Sequence, residues 1–167
     1  MYKNLEKIEK ADKSYVWIKK KKFIDLSLHS GVLLFGHNSK IFLNTLNIIK
    51  KKKLSLSSFS EKISSKKILP YIKKYFKSTH NLIFCTTGSE SVIKSIRISK
   101  ALTNNKQKVA IVSGSWHGSV DQTLFFSKKN LSPIPLSSGI NQNYKKDLII
   151  LPYNDIKKSE KILNKYS

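Results

Sequence analysis

Asn81-Leu82-Ile83-Phe84-Cys85-Thr86-Thr87-Gly88-Ser89-Glu90-Ser91, running on into Val92-Ile93-Lys94-Ser95-Ile96-Arg97-Ile98-Ser99-Lys100-Ala101-Leu102, decides how this chain is read. The first five residues are short, apolar and β-prone, and the last eleven have helical length. Between them lies a turn of small residues. A strand that breaks at such a turn and opens a helix leaves several backbone N–H groups without intrahelical partners. Together with the positive end of the helix dipole they make an anion site, most often for phosphate. Gly88 lets a backbone approach an anion closely, Thr86, Thr87 and Ser89 add hydroxyls, and Glu90 suits the first helical turn. An ordinary Ser/Thr-capped helix fits the same residues.

Continuing outward, a strand over 81–86, a helix over 89–103 and a strand over 108–112 make a predicted βαβ unit with a parallel pair and a right-handed crossover. On the helix, Val92, Ile93 and Ile96 form one apolar face and Ile98 and Leu102 another, which predicts burial on two sides. Cys85 reads as a buried strand residue. Upstream, residues 2–12 are expected to form a short polar helix or arm. Tyr15-Val16-Trp17-Ile18 and Phe23-Ile24-Asp25-Leu26 read as a hairpin joined by Lys19–Lys22, without the usual Gly or Asn. Residues 27–37 form an irregular segment around Gly31 and Gly36. A helix capped at Asn38 or Ser39 runs to about Lys51, and another over 60–76 breaks or restarts at Pro70. Strand-like runs recur at 122–126 and 147–151, and Asp155 caps a helix over 155–165. These elements divide into an N-terminal segment, 1–50, and an α/β part, 51–167.

A second constellation, Ser113-Gly114-Ser115-Trp116-His117-Gly118, directly follows the 108–112 strand. In an open α/β sheet, ligands sit beyond the carboxyl ends of the strands, so both small-residue turns are expected at one crevice. Trp116 beside an anion cradle suits a phosphorylated aromatic ring, with the indole on its face. A tryptophan that plugs the crevice is the plainer alternative. Gly114-Ser115-Trp116-His117-Gly118 comes near a nucleophile elbow, but its serine stands one place too early.

Composition narrows the function classes. The 167 residues carry a formal charge of +22, yet of 32 basic residues only Arg97 is an arginine. Guanidinium forks carry most base-edge readout, and the lysines are spread among abundant Asn, Ile and Ser. A solvated lysine surface fits better than a nucleic-acid face, with a polyanion-binding module kept as a remote alternative. One cysteine excludes an internal disulfide and a Cys-built zinc site, and His29, His37, His80 and His117 show no i, i+4 pair. The N-terminus has no apolar core of a secretory signal, and no run approaches the roughly 20 residues of a membrane span. A cytoplasmic location is the expectation.

The order of these pieces resembles the class III (fold-type I) aminotransferases that use pyridoxal 5′-phosphate, most of all their glutamate-1-semialdehyde 2,1-aminomutase branch. Tyr15-Val16-Trp17 with Phe23-Ile24-Asp25-Leu26 resembles that family's opening hairpin, and Leu34-Phe35-Gly36-His37-Asn38-Ser39 its Gly-His segment. Phe84-Cys85-Thr86-Thr87-Gly88-Ser89-Glu90-Ser91 is similar to its Ser-Gly-Thr-Glu-Ala motif. Ile96-Arg97-Ile98-Ser99-Lys100, Trp116-His117-Gly118, Ser138-Gly139-Ile140 and Pro152-Tyr153-Asn154-Asp155 fall at its spacings. The resemblance implies an α/β fold: 51–167 is then the first part of a larger, cofactor-binding fold-type I domain, mainly parallel sheet flanked by helices, after an N-terminal helix and β-hairpin segment. It implies that Gly88, Ser89, Trp116 and His117 bind the cofactor, with Trp116 where the family usually has Tyr or Phe. It implies a small amino acid or amino-aldehyde substrate and a homodimer or partner subunit. The family's Schiff-base lysine and its pyridinium-binding aspartate belong to segments beyond residue 167. The chain is therefore expected to be a truncated or split form and inactive alone, or an inert partner of a full-length homologue. An open sheet edge and bare apolar helix faces predict low solubility in isolation.

Overall fold

The computed structural model describes residues 6–54, 58–104, 106–128 and 130–166, and only the backbone of 58–64. The chain divides into two compact units, at residues 1–62 and 63–167.

In the first unit, β1 (Lys10–Asp12), β2 (Tyr15–Ile18) and β3 (Lys21–Ile24) form an antiparallel sheet in chain order. The hairpin expectation holds with a tighter turn. Lys19 and Lys20 both take left-handed backbone angles, φ 48° and 62°. Two such residues match the twist of paired strands, which is why Asn-Gly usually stands there. Of the short polar helix or arm expected over 2–12, the helix is not formed where the chain is described: 6–9 are irregular and 10–12 are β1, pairing Lys10 with Trp17 and Asp12 with Tyr15. Strand pairing outweighs the weak helical tendency of so short a polar segment. Residues 1–5 lie outside the described residues.

The irregular 27–38 segment is tied back to this sheet. Lys13 and His37 exchange backbone hydrogen bonds of 2.9 and 2.8 Å. Gly36 makes that approach possible, because a Cβ there would stand 2.7 Å from the Lys13 carbonyl oxygen. The Asp25 carboxylate accepts the amides of Ser27 and Leu28 at 2.9 and 3.1 Å and pairs with His37 Nε2 at 2.8 Å. His37 first, then the Leu28 amide, holds the Asp25 carboxyl below its usual range. A depressed carboxyl contributes stability above its unfolded pKa of about 3.9 and loses it as pH falls through the folded value. Asp25→Asn is therefore expected to flatten the acid limb of a stability-versus-pH curve below about pH 4, read by thermal melting. An unchanged acid limb would contradict this role.

α1 (Lys40–Lys52) starts where expected, with the Ser39 hydroxyl accepting the Phe42 amide at 3.2 Å. Lys50, Lys51 and Lys52 meet its negative end. α2 (Ser58–Tyr75) runs through Pro70 without the predicted break. A proline removes one i→i−4 bond, and the rest of this long helix carries the turn.

In the second unit the predicted βαβ grouping is revised. Residues 81–86 form no strand, and α3 spans Gly88–Leu102. β4 (Val109–Val112) is indeed in a parallel pair, but with β7 (Leu148–Leu151), in register from Val109↔Leu148 to Val112↔Leu151. β-propensity is local, whereas a strand exists only where a neighbour closes its ladder. Between these two strands run the hairpin β5 (Phe125–Ser127) and β6 (Pro133–Pro135) and a 3-10 turn at Gln142–Asp147. Leu148, Ile149 and Ile150 are all buried, as in a strand covered on both faces. The core gathers Ile111, Phe125, Ile140, Leu148 and Ile150, with Tyr144 packed against it. α4 (Ile156–Leu163) is capped by Asp155, which accepts the Lys158 amide at 3.0 Å.

The burial predicted for α3 is not found: Ile93, Ile98 and Leu102 are exposed and no residue of the helix is buried. Accessible surface totals 14358 Å². A folded monomer of this size exposes roughly 8,400 Å², and two separate domains of these lengths roughly 10,000 Å². Large apolar side chains such as Ile41, Phe42, Leu46, Ile93 and Ile98 account for part of that exposure. Among the described residues, no helix is long and apolar enough to cross a membrane.

Candidate functional site

The opening of α3 is built by its own side chains. Thr87, with extended backbone angles, caps the helix, and its hydroxyl accepts the Glu90 amide at 3.1 Å. Glu90 reaches back to accept the Thr86 amide at 2.7 Å. The first intrahelical bond runs from the Ser91 amide to the Thr87 carbonyl at 3.1 Å. The amides of Gly88 and Ser89 precede it and therefore lie at the helix mouth. Nothing lies within 4 Å of where a Gly88 Cβ would stand, so the approach to that backbone is open. Thr87, Gly88 and Ser89 thus meet the requirement of an anion cup: amide donors, a hydroxyl, the dipole and space.

The second turn leaves the carboxyl end of β4. Ser113 donates its amide to the Leu151 carbonyl at 2.8 Å, and Gly114, at φ 80°, reverses the chain. Because β4 and β7 are parallel, Pro152-Tyr153-Asn154-Asp155 leaves the sheet at the same end. The second turn then comes down on the first. The Ser119 amide donates to Ser89 Oγ at 2.9 Å, across thirty residues. Gly118, at φ 80°, packs on Ser89 so closely that a Cβ would stand 2.7 Å from its Oγ and 2.8 Å from its Cα. The Ser89 hydroxyl oxygen accepts that amide and keeps its own proton free to donate.

The predicted residues therefore fall into two linked groups. Gly88 and Ser89 stand at the helix mouth, and Trp116 and His117 lie in the loop that Gly118 and Ser119 fasten to it. Trp116 is 69% exposed and His117 half-buried, so the tryptophan does not plug a crevice in the described structure. The cup's chemistry fits the phosphate of pyridoxal phosphate, and an exposed indole two residues from the Gly118 contact suits its flat ring. Cys85 departs from expectation: it is half-buried and outside any strand. Among the described residues, no three of His, Cys, Asp or Glu group closely enough to hold a metal ion.

Two contributors were not anticipated. The Ser119 contact has no sequence signal, since any residue but proline offers that amide. Lys94, which pairs with Glu90 at 2.7 Å, does have one, the i, i+4 spacing of opposite charges on a helix.

No family model matches the chain. It is similar to the glutamate-1-semialdehyde 2,1-aminomutase of Wigglesworthia glossinidia brevipalpis, 32% identical over 151 residues that make up 87% of this chain and 34% of the relative. The same enzyme of Archaeoglobus fulgidus is 30% identical over 146 residues, 86% of this chain and 34% of the relative. The chain thus spans about a third of the length of the curated relatives it matches. Among solved structures, a transaminase with PLP bound aligns with TM-score 0.78 at 17% identity, over 96% of this chain and 38% of that one. A glutamate-1-semialdehyde aminomutase from Pseudomonas aeruginosa PAO1 aligns with TM-score 0.68 at 17% identity, over 96% of this chain and 35% of that one. At that identity the structures establish a shared fold.

Proposed function

From a chain that corresponds in sequence and fold to the N-terminal portion of the class III, fold-type I aminotransferase family, we propose the phosphate cup and ring platform of a glutamate-1-semialdehyde 2,1-aminomutase-like site. The observation that carries this reading is the Ser119–Ser89 contact, which fastens the loop bearing Trp116 to the helix mouth bearing Gly88. The family uses pyridoxal 5′-phosphate. Such a group brings amino-group exchange through its aldehyde carbon and electron-accepting ring.

This chain's residues bind and orient. The Gly88 and Ser89 amides donate to phosphate oxygens, supported by about half a positive charge at the helix end. The Ser89 hydroxyl, held by the Ser119 amide, donates its proton to the same phosphate. Trp116 covers one ring face, and His117 lines the cofactor beside it. The roles assigned to this chain's residues are binding and orientation, with no covalent step. The substrate is a small amino acid or amino-aldehyde. The bare faces of α3 and α1 are covered by the rest of the fold or by a second subunit, in a cytoplasmic dimer. An inert partner of a full-length homologue has no separate observation in its favour.

Two variants test the assignment. All but one of the 32 basic residues are lysines, which react with aldehydes, so the probes are pyridoxamine 5′-phosphate and pyridoxamine. Ser89→Ala is expected to weaken the phosphorylated ligand by roughly tenfold or more, through loss of a charge-assisted hydrogen bond, and pyridoxamine by less, through the freed Ser119 amide and the loosened Trp116 loop. Trp116→Ala is expected to weaken both ligands by roughly fivefold, through loss of ring stacking. Equal effects of Ser89→Ala on both ligands would overturn the cup.

A further inference from the structure

We infer that Lys94 is a positioning residue of the phosphate cup: it neutralises Glu90, so that this carboxylate can brace the helix mouth without repelling the anion bound there. The inference rests on the cup proposed above. Glu90 has two tasks in conflict. One carboxylate oxygen holds the Thr86 amide at 2.7 Å, which keeps the residue before the Thr87 cap in place. Yet the same carboxylate stands in the first turn of α3, where a phosphate dianion is to be received, and like charges at close range oppose each other.

Lys94 resolves the conflict. Side chains on a helix lean toward its N-terminus, so a lysine four residues on reaches the first turn. Its ammonium meets the other Glu90 oxygen at 2.7 Å. It also lies 3.5 Å from the Phe84 carbonyl, on the segment that leads into the turn. The Lys94 contact first, then the Thr86 amide, keeps the Glu90 carboxyl below its usual range, so the group is ionised at neutral pH and needs its counter-charge. With the Thr86 amide taken by Glu90, the amides left to a ligand at the helix mouth are those of Gly88, beside which the space is open, and Ser89.

The pair is a partly exposed one, 36% for Lys94 and 39% for Glu90, so its direct contribution to folding is small. Its effect is expected in anion affinity instead. Lys94→Gln should weaken pyridoxamine 5′-phosphate by roughly three- to tenfold at low salt, leave pyridoxamine unchanged, and lose most of its effect in concentrated salt. Inorganic phosphate, used as competitor, should weaken in parallel. Glu90→Gln combined with Lys94→Gln should restore affinity to within about twofold, because removing both charges removes the repulsion. A merely structural role for Lys94 would not be rescued by that second change. The inference is overturned if Lys94→Gln binds the phosphorylated ligand normally, or if the double variant stays weak. Failure of the unmodified chain to prefer the phosphorylated ligand overturns the cup itself, a separate and distinguishable result.

Discussion

Replacing Gly118 with alanine is expected to separate the two turns and to lower affinity for pyridoxamine 5′-phosphate by well over tenfold. The argument is geometric. A Cβ at this position would stand 2.7 Å from Ser89 Oγ and 2.8 Å from Ser89 Cα, and the second of these is backbone that cannot swing aside. The loop has to retreat, and the Ser119 amide loses its 2.9 Å contact with Ser89. Gly114 is an internal control. It shares the same φ of 80°, but nothing lies within 4 Å of its Cβ position. Left-handed strain alone costs about 1–2 kcal/mol, so both variants should be destabilised by that amount. Overpacking adds about 1–3 kcal/mol at Gly118 only. Denaturant midpoints and ligand titration read the two effects separately. If the two glycine variants behave alike in both, the close packing of the turns is not what holds the site.

The sequence alone carried the parts of this site that are local. A cap, a glycine and an acidic residue in the first turn are neighbours along the chain, so Thr87, Gly88 and Glu90 could be read directly. Ser39, Asp155 and the hairpin that opens at Tyr15–Ile18 and returns through Lys21–Ile24 were legible for the same reason. What misled was β-propensity without a partner. Asn81–Cys85 has a strand's composition and no strand, whereas Leu148–Leu151, nearly forty residues from β4, supplies the parallel neighbour. The burial expected of α3 failed similarly, since apolar stripes at Ile93, Ile98 and Leu102 state a need for cover and do not provide it. The Ser119–Ser89 bond lay beyond sequence reading altogether, because a backbone amide carries no residue signature. The family resemblance fared better than any single motif, because it rested on the order of several.

The second large effect concerns the unmodified chain. A cup of two amides, a hydroxyl and a helix end recognises a phosphate, and a ring face alone does not. Several charge-assisted hydrogen bonds acting together, each about 1.5–3 kcal/mol, predict at least a ~100-fold preference for a phosphorylated ring. The decisive measurement is a direct titration of the 167-residue chain with pyridoxamine 5′-phosphate and with pyridoxamine, with inorganic phosphate as competitor. The account predicts that the phosphorylated ligand binds at least ~100-fold tighter and that phosphate displaces it. Equal affinity for the two ligands, or binding that phosphate does not disturb, would contradict the claim that the mouth of α3 is a cofactor phosphate site.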